Sequence, residues 1–465
     1  MDREKRHKRV VRQRILAFIF TILVLGGLTF GAVWGILYLK KTGFLDRLPK
    51  PQPKVEGTTT EAPSEEDDSW IAVEKEVIED DYADVDTSVL SENETPTEEP
   101  EPEPEYDEEI EAIIADLALE EKVAQLFIAT PEQVIDGSLT VTQAGEKSKE
   151  ALSLYPVGGL VYFAQNLEEP EQTKEMLSNT REYIKDACGI EPFLAVDEEG
   201  GRVVRVADNE AFEIDNVGPM AEIGRESEMK AADKAYSAGE TIGGYLSDLG
   251  FNLDFAPCAD VVPDNENEAI GDRSFGSDPE KVAKLTFQYA FGLQEKGVTA
   301  CYKHFPGHGS VEGDSHETAV SQNKTKEELF DSDLIPFRSA VENGARMIMA
   351  GHISCPGITG DDTPASLSSV MITDILREEM GYKGIIITDS FQMGAVTSKY
   401  PNPGDAAINA IKAGADIVLM PGDFHEAYNA VLSAVSAGDI EEGRVDESLR
   451  RILTVKLGKE KNEEE

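Results

Sequence analysis

The chain has 465 residues, 40% of them hydrophobic, which is enough for a sizeable core. Length alone allows two or three domains. A formal net charge of -47 excludes nucleic acid as an expected partner, because such a surface repels phosphate. Four cysteines without CxxC spacing exclude a disulfide scaffold. They read as small buried hydrophobes, with one pairing, for instance Cys258 with Cys301, as the alternative outside the cell.

The first 14 residues, MDREKRHKRVVRQR, carry seven Lys/Arg against two acids. Residues 15–39 hold no charge and are long enough to span a bilayer as a helix. The basic flank places the remainder outside the cell, so a single-pass membrane protein with an external catalytic domain is expected. A cleaved signal peptide is the rival. Its apolar core would be shorter and would end at small residues, whereas this run ends in Trp34, Tyr38 and Lys40-Lys41. Residues 40–107 are rich in Glu, Asp, Pro, Thr and Ser. From 61 to 110 there are 22 acids and one lysine. Such a segment cannot bury enough apolar surface to offset its ordering entropy, and it is expected to be a disordered tether.

From residue 108 to 459 short apolar runs alternate with amphipathic stretches. The runs are QLFIA (125–129), VGGLVYF (157–163), PFLAVD (192–197), FNLDFAPCADV (251–261), VTACYKHF (298–305), MIMAGHI (347–353), GIIITDS (384–390) and ADIVLMP (415–421). Continuous apolar runs suit strands buried on both faces. Eight βα units predict a (β/α)8 TIM-type barrel, with an open doubly wound sheet as the alternative. Polar residues fall at the expected carboxyl ends of the strands: Asp197, Lys303, His304, His352 and Asp389. In a barrel those ends converge on one mouth.

The segment KHFPGHGSVEGDSH (303–316) follows the fifth run. Its glycines Gly307, Gly309 and Gly313 suggest a flexible loop, with Asp314 and His316 two residues apart at the far end. A carboxylate paired with an imidazole makes a general acid/base for neutral pH. Asp389 supplies a second carboxylate from another strand, and retaining sugar cleavage needs such a pair of groups on either side of the bond. Zinc ligation by His304, His308 and His316 with Asp314 is an alternative, weakened by the loop setting. Asp254 and Asp260 read as structural, Arg202 as a loop ion-pair partner, His308 as loop support, and His352 as a supporting histidine without chemistry.

KHFPGHG followed by DSH resembles family 3 glycoside hydrolases, in particular the single-domain β-N-acetylglucosaminidase branch. LALEEKVAQLF (117–127), VDEEGGRVVRV (196–206), GDRSFGSDP (271–279) and PASLSSVMITDILREEMGYKGIIITDSFQMGAV (364–396) extend the resemblance over almost the whole region. It implies a catalytic set of Asp389 as nucleophile and His316 as acid/base paired with Asp314. It also implies a sugar-binding set of Asp197, Arg205, Arg273, Lys303 and His304, with no metal and no cofactor. The implied activity is retaining, exo-acting hydrolysis of terminal β-linked N-acetylhexosamine from cell-wall or chitin-type glycans. An inactive tethered carbohydrate-binding protein, a β-glucosidase or a phosphorylase are the alternatives. One departure is VDEEGG, where relatives often carry Gln at the position of Glu198, a change expected to touch the pocket rim.

Overall fold

A computed structural model describes residues 107–137, 139–263, 267, 269–311, 313–315 and 317–459. The expected span at 15–39, most of the expected tether, and His316 lie outside the described residues. Among the described residues, no helix is long and apolar enough to cross a membrane.

Each of the eight apolar runs contributes one strand: β1 Phe127–Ala129, β2 Gly159–Val161, β3 Phe193–Val196, β4 Leu253–Asp254, β5 Thr299–Phe305, β6 Met347–Ala350, β7 Ile385–Thr388 and β8 Val418–Leu419. All are parallel, and the order is β8-β1-β2-β3-β4-β5-β6-β7. A parallel bridge between Ile387 and Ile417 joins β7 to β8 and closes the ring. The expected TIM-type barrel is therefore observed, and the open-sheet alternative is not. Every residue of the strands except Asp254 and a few polar groups of β5 and β7 is apolar, and all are buried. That is the pattern demanded by side chains filling the barrel on one face and meeting helices on the other.

The fourth run is longer than its strand. Beyond Asp254 the pairing continues irregularly: the Phe255 amide donates to Val196 O (2.9 Å), the Ala256 and Pro257 carbonyls accept from Cys301 (2.8 Å) and Lys303 (3.2 Å), and the Ala259 amide donates to Lys303 O (2.6 Å), while Pro257 has no N–H to donate. This continuation brings Asp260 against His304 at the end of β5. A parallel pair of two-residue strands, Val320–Ser321 with Ile353–Ser354, lies beside the mouth.

Helices between the strands begin and end on local signals. Asp278 accepts from the Glu280 and Lys281 amides ahead of Pro279–Glu295, with proline in the first turn, and Gly250 closes Glu228–Leu249 in the left-handed region. At the base of the barrel Asp416 is fully buried. It accepts from Arg451 (2.9 Å), Ser448 (2.8 Å) and the Ile386 amide (2.9 Å), and it also pairs with Arg377. This ties the last helix, Glu442–Lys456, under β7 and β8. The four cysteines are unbridged, so the expected alternative of a Cys258–Cys301 pair is not present; three of the four are buried.

Candidate active site

A cavity of about 540 Å³ opens at the carboxyl ends of the strands, the catalytic position of this architecture. Asp197, Arg205, Arg273, Lys303, His304, Asp314 and Asp389 all line it. Seven of the eight residues singled out in sequence are thus brought together from five parts of the chain, and the eighth, His316, is outside the described residues.

Asp197 follows β3, and Lys303 and His304 lie near the end of β5, joined by a cis peptide. Lys303 is buried and donates to Asp197 Oδ1 at 2.8 Å and to Glu199 Oε1 at 2.7 Å. Burial alone would discharge this amine, but Asp197 and Glu199 outweigh that cost and hold it above the usual lysine range. Glu199 was not anticipated. It is 2% exposed and also takes a bidentate bond from Arg273, Nε to Oε2 at 2.8 Å and Nη2 to Oε1 at 2.7 Å. Burial opposes its ionisation, yet Arg273 and Lys303 keep its carboxyl well below the usual range. The missed signal was position: like Asp197, Glu199 lies in the short segment directly after β3, and both line the cavity.

Asp260 was read as structural, and it is also a positioning group. Its Oδ2 takes His304 Nδ1 at 2.7 Å and the Cys258 thiol at 3.1 Å, while its Oδ1 accepts the His308 amide at 2.6 Å. Burial disfavours its charge, but His304 outweighs burial and holds the carboxyl down. With Nδ1 committed to Asp260, His304 turns Nε2 toward the cavity, 3.4 Å from Arg273 Nη2. Cys258, Asp260 and His304 bring their donor atoms within 4.8 Å of one another. Their mutual hydrogen bonds account for that closeness. In the alternative zinc set, His304 and His308 turn to different partners, Asp260 and Ser315.

Two glycines of the loop after β5 sit in close contact with their neighbours. A Cβ on Gly309 would lie 2.2 Å from the Val261 carbonyl oxygen, and Gly307 has φ 127° with Asp333 against it. These two glycines thus serve close packing and backbone conformation. His308 is loop support, as read: its Nε2 meets the Ser315 hydroxyl at 2.9 Å, between Asp314 and residue 316. Ser315 also accepts the Ala395 amide through its carbonyl at 3.2 Å. Asn267, not anticipated, donates to the carbonyls of His308 (3.0 Å) and Val311 (2.8 Å).

Asp389 follows β7 on the opposite side of the mouth. Its amide donates to Ala350 O at 2.9 Å, and its Oδ1 accepts the Ser390 amide at 2.7 Å. His352 bridges Ser366 (2.7 Å) and the Ser390 carbonyl (2.9 Å), so it steadies the turn that carries Asp389 without lining the cavity. Arg202 pairs with Asp272 at 3.0 Å, as read, and Asp254 accepts the Glu198 amide at 2.9 Å, joining β4 to the end of β3. Met420 sits at the rim with φ 45°, a left-handed conformation unusual for a side chain of its size. Glu198 corrects an expectation: it is fully buried, is not among the residues lining the cavity, and lies beneath the loop that carries Arg205.

A mouth with buried cations balanced by carboxylates offers donors and acceptors in the density that a polyhydroxylated ligand needs. Val161, Phe163, Phe255, Met349 and Leu419 supply apolar walls. The chain matches the glycosyl hydrolase family 3 N terminal domain over residues 118–455. It is 32% identical over 354 residues to "Beta-hexosaminidase LpqI" of Mycobacterium tuberculosis, covering 74% of this chain and 84% of that protein. It is 31% identical over 342 residues to "Beta-hexosaminidase A" of Pseudoalteromonas piscicida, covering 69% of this chain but only 56% of that protein. Among solved structures, a family 3 β-N-acetylglucosaminidase from Paenibacillus sp. str. FPU-7 superposes with a TM-score of 0.67 at 34% identity, covering 73% of this chain and 62% of that one. With the barrel, the mouth and this extent of similarity together, the chain belongs to glycosyl hydrolase family 3.

Proposed function

We propose that this protein is a retaining, exo-acting β-N-acetylglucosaminidase that removes terminal β-linked N-acetylglucosamine from cell-wall or chitin-type glycans outside the cell. The observation that carries the reading is the presence of Asp389 and Asp314 on one cavity that also holds the buried Lys303–Glu199–Arg273 cluster. The names of the similar proteins, β-hexosaminidase and β-N-acetylglucosaminidase, support the choice of sugar.

In the first step a carboxylate oxygen of Asp389 bonds to the anomeric carbon while the glycosidic C–O bond breaks. His316, oriented by Asp314, gives its proton to the departing oxygen. In the second step water bonds to the anomeric carbon, its proton passes to His316, and Asp389 leaves as carboxylate. Asp197, Lys303, His304, Arg273 and Arg205 bind the sugar hydroxyls and amide. All of this uses side chains alone.

Turnover of an aryl β-N-acetylglucosaminide, with and without phosphate and with a chelator, tests the reading. Free N-acetylglucosamine should appear in every condition, faster than glucose from the matching β-glucoside. Absence of turnover would favour a carbohydrate-binding protein. Sugar 1-phosphate as product would make it a phosphorylase. Loss of activity on chelation, restored by zinc, would turn belief to a metal.

The uncharged segment 15–39 behind a basic flank supports an anchored protein with its barrel outside. Protease added to intact cells should release an active fragment of about the barrel's size by cutting within 40–107. Finding the protein in the cytosol would refute the placement.

A further inference from the structure

Asp197 and Glu199, just beyond β3, line the cavity, and Glu198 between them does not. Its carboxylate is fully buried and has four partners. Oε2 accepts the amides of Arg205 (2.5 Å) and Val206 (2.9 Å), and Oε1 accepts the amide of Ala207 (2.9 Å) and the hydroxyl of Tyr245 (2.9 Å). The loop from Gly200 to Ala207 therefore closes back onto the residue that precedes it. Closure sets where the Arg205 side chain goes. Its guanidinium lies over the Phe163 ring at 5.7 Å, with Nη2 3.7 Å from Asp197 Oδ2, and its buried Nε has no hydrogen-bond partner.

We infer that Glu198 is a positioning residue that fixes Arg205 against the sugar, an inference that rests on the proposed reading of the cavity as a sugar site. Glu198 touches no ligand itself. It acts by using its carboxylate as the loop's closing partner, which holds the Arg205 guanidinium in the lining of the cavity, beside Asp197. All four partners are donors, which suits an ionised carboxylate. A glutamine there keeps one oxygen for two of them, and its NH2 faces the other two. The Tyr245 hydroxyl can rotate to accept from that NH2, so only the Ala207 amide loses its partner. Tolerance of glutamine at this position thus depends on Tyr245, which comes from the helix Glu228–Leu249.

The test is a double-mutant cycle read on KM with the aryl β-N-acetylglucosaminide. Glu198→Ala should raise KM about tenfold and change kcat far less, because a misplaced arginine loses binding shared by ground and transition states. In an Arg205→Ala background the same change should add nothing to KM. Glu198→Gln should stay near wild type, and Glu198→Gln with Tyr245→Phe should behave like Glu198→Ala. That pair decides the matter should the alanine variant fail to fold. A residue with only a structural role would lower the melting temperature and the active fraction and leave KM unmoved. Multiplying KM losses in Glu198→Ala/Arg205→Ala, or an unchanged KM in both Glu198 variants carrying the loss, would overturn the inference. If the wild type turned over no substrate, the proposed activity would fail by itself. The same cycle, read as Kd for N-acetylglucosamine by calorimetry, would still decide the role of Glu198, and the absence of binding by the wild type would overturn both.

Discussion

Glu199→Gln is expected to lower kcat/KM roughly 100-fold or more and to cost about 3–5 kcal/mol of stability at neutral pH. The carboxylate is the single anion between Arg273 and the inner side of Lys303, which are 8% and 2% exposed. Removing its charge leaves two buried cations facing each other, with Asp197 alone to balance Lys303. A glutamine carbonyl in the place of Oε1 can still accept from Lys303 and from Arg273 Nη2, but its NH2 then meets the Arg273 Nε–H, donor against donor, and it carries no charge to balance either cation. Both cations are expected to bind the sugar, so their displacement reaches the chemistry directly. The effect has a pH signature. The folded-state carboxyl is held below its ordinary value of 4.5, so the unfolded chain takes up the proton first as pH falls. The stabilisation is complete above that value and is lost progressively below it. Urea unfolding should therefore show wild type and variant converging in acid and well separated at pH 7. Equal stability and equal kcat/KM at pH 7 would remove Glu199 from the account.

The contrast between Glu198 and Glu199 shows how far the sequence can be read. The eight strands were legible because strands buried on both faces must be continuously apolar, and each run delivered one. Their lengths were not, since the regular ladder of β4 stops at Asp254 while the run continues with irregular backbone bonds as far as Ala259. The residues lining the mouth were largely legible through their position after a strand and through the resemblance that assigns them roles. The groups that hold them were not. Asp260 reads as one more acid beyond a strand until His304 and His308 are found folded onto it. Tyr245 stands 47 residues from Glu198 on a helix whose sequence gives no hint of that bond. Two adjacent acids, one lining the cavity and one buried beneath a loop, are the same residue type in the same short segment after β3. The sequence also did not disclose that the missing side chain of Gly309 lets the loop approach Val261.

The largest effect is expected at Asp389. Asp389→Ala should reduce activity roughly 10,000-fold or more on every substrate, since no other group forms the bond to the anomeric carbon. His316→Ala should behave differently because the two steps demand different things of the imidazole. An activated aryl leaving group departs with little protonation, so formation of the glycosyl-enzyme survives. A natural disaccharide needs the proton and should scarcely be cleaved. Release by water needs a base in both cases and should be slow. Asp314→Ala should give a milder form of the same pattern, because it orients the imidazole and leaves it in place. The His316→Ala enzyme should therefore accumulate a covalent sugar during turnover of the activated substrate. Mass spectrometry of that enzyme, quenched in the steady state and digested, is the most direct test. The account predicts one N-acetylhexosamine on the peptide containing Asp389; an adduct on a different carboxylate, or none on Asp389 while substrate is consumed, would contradict it.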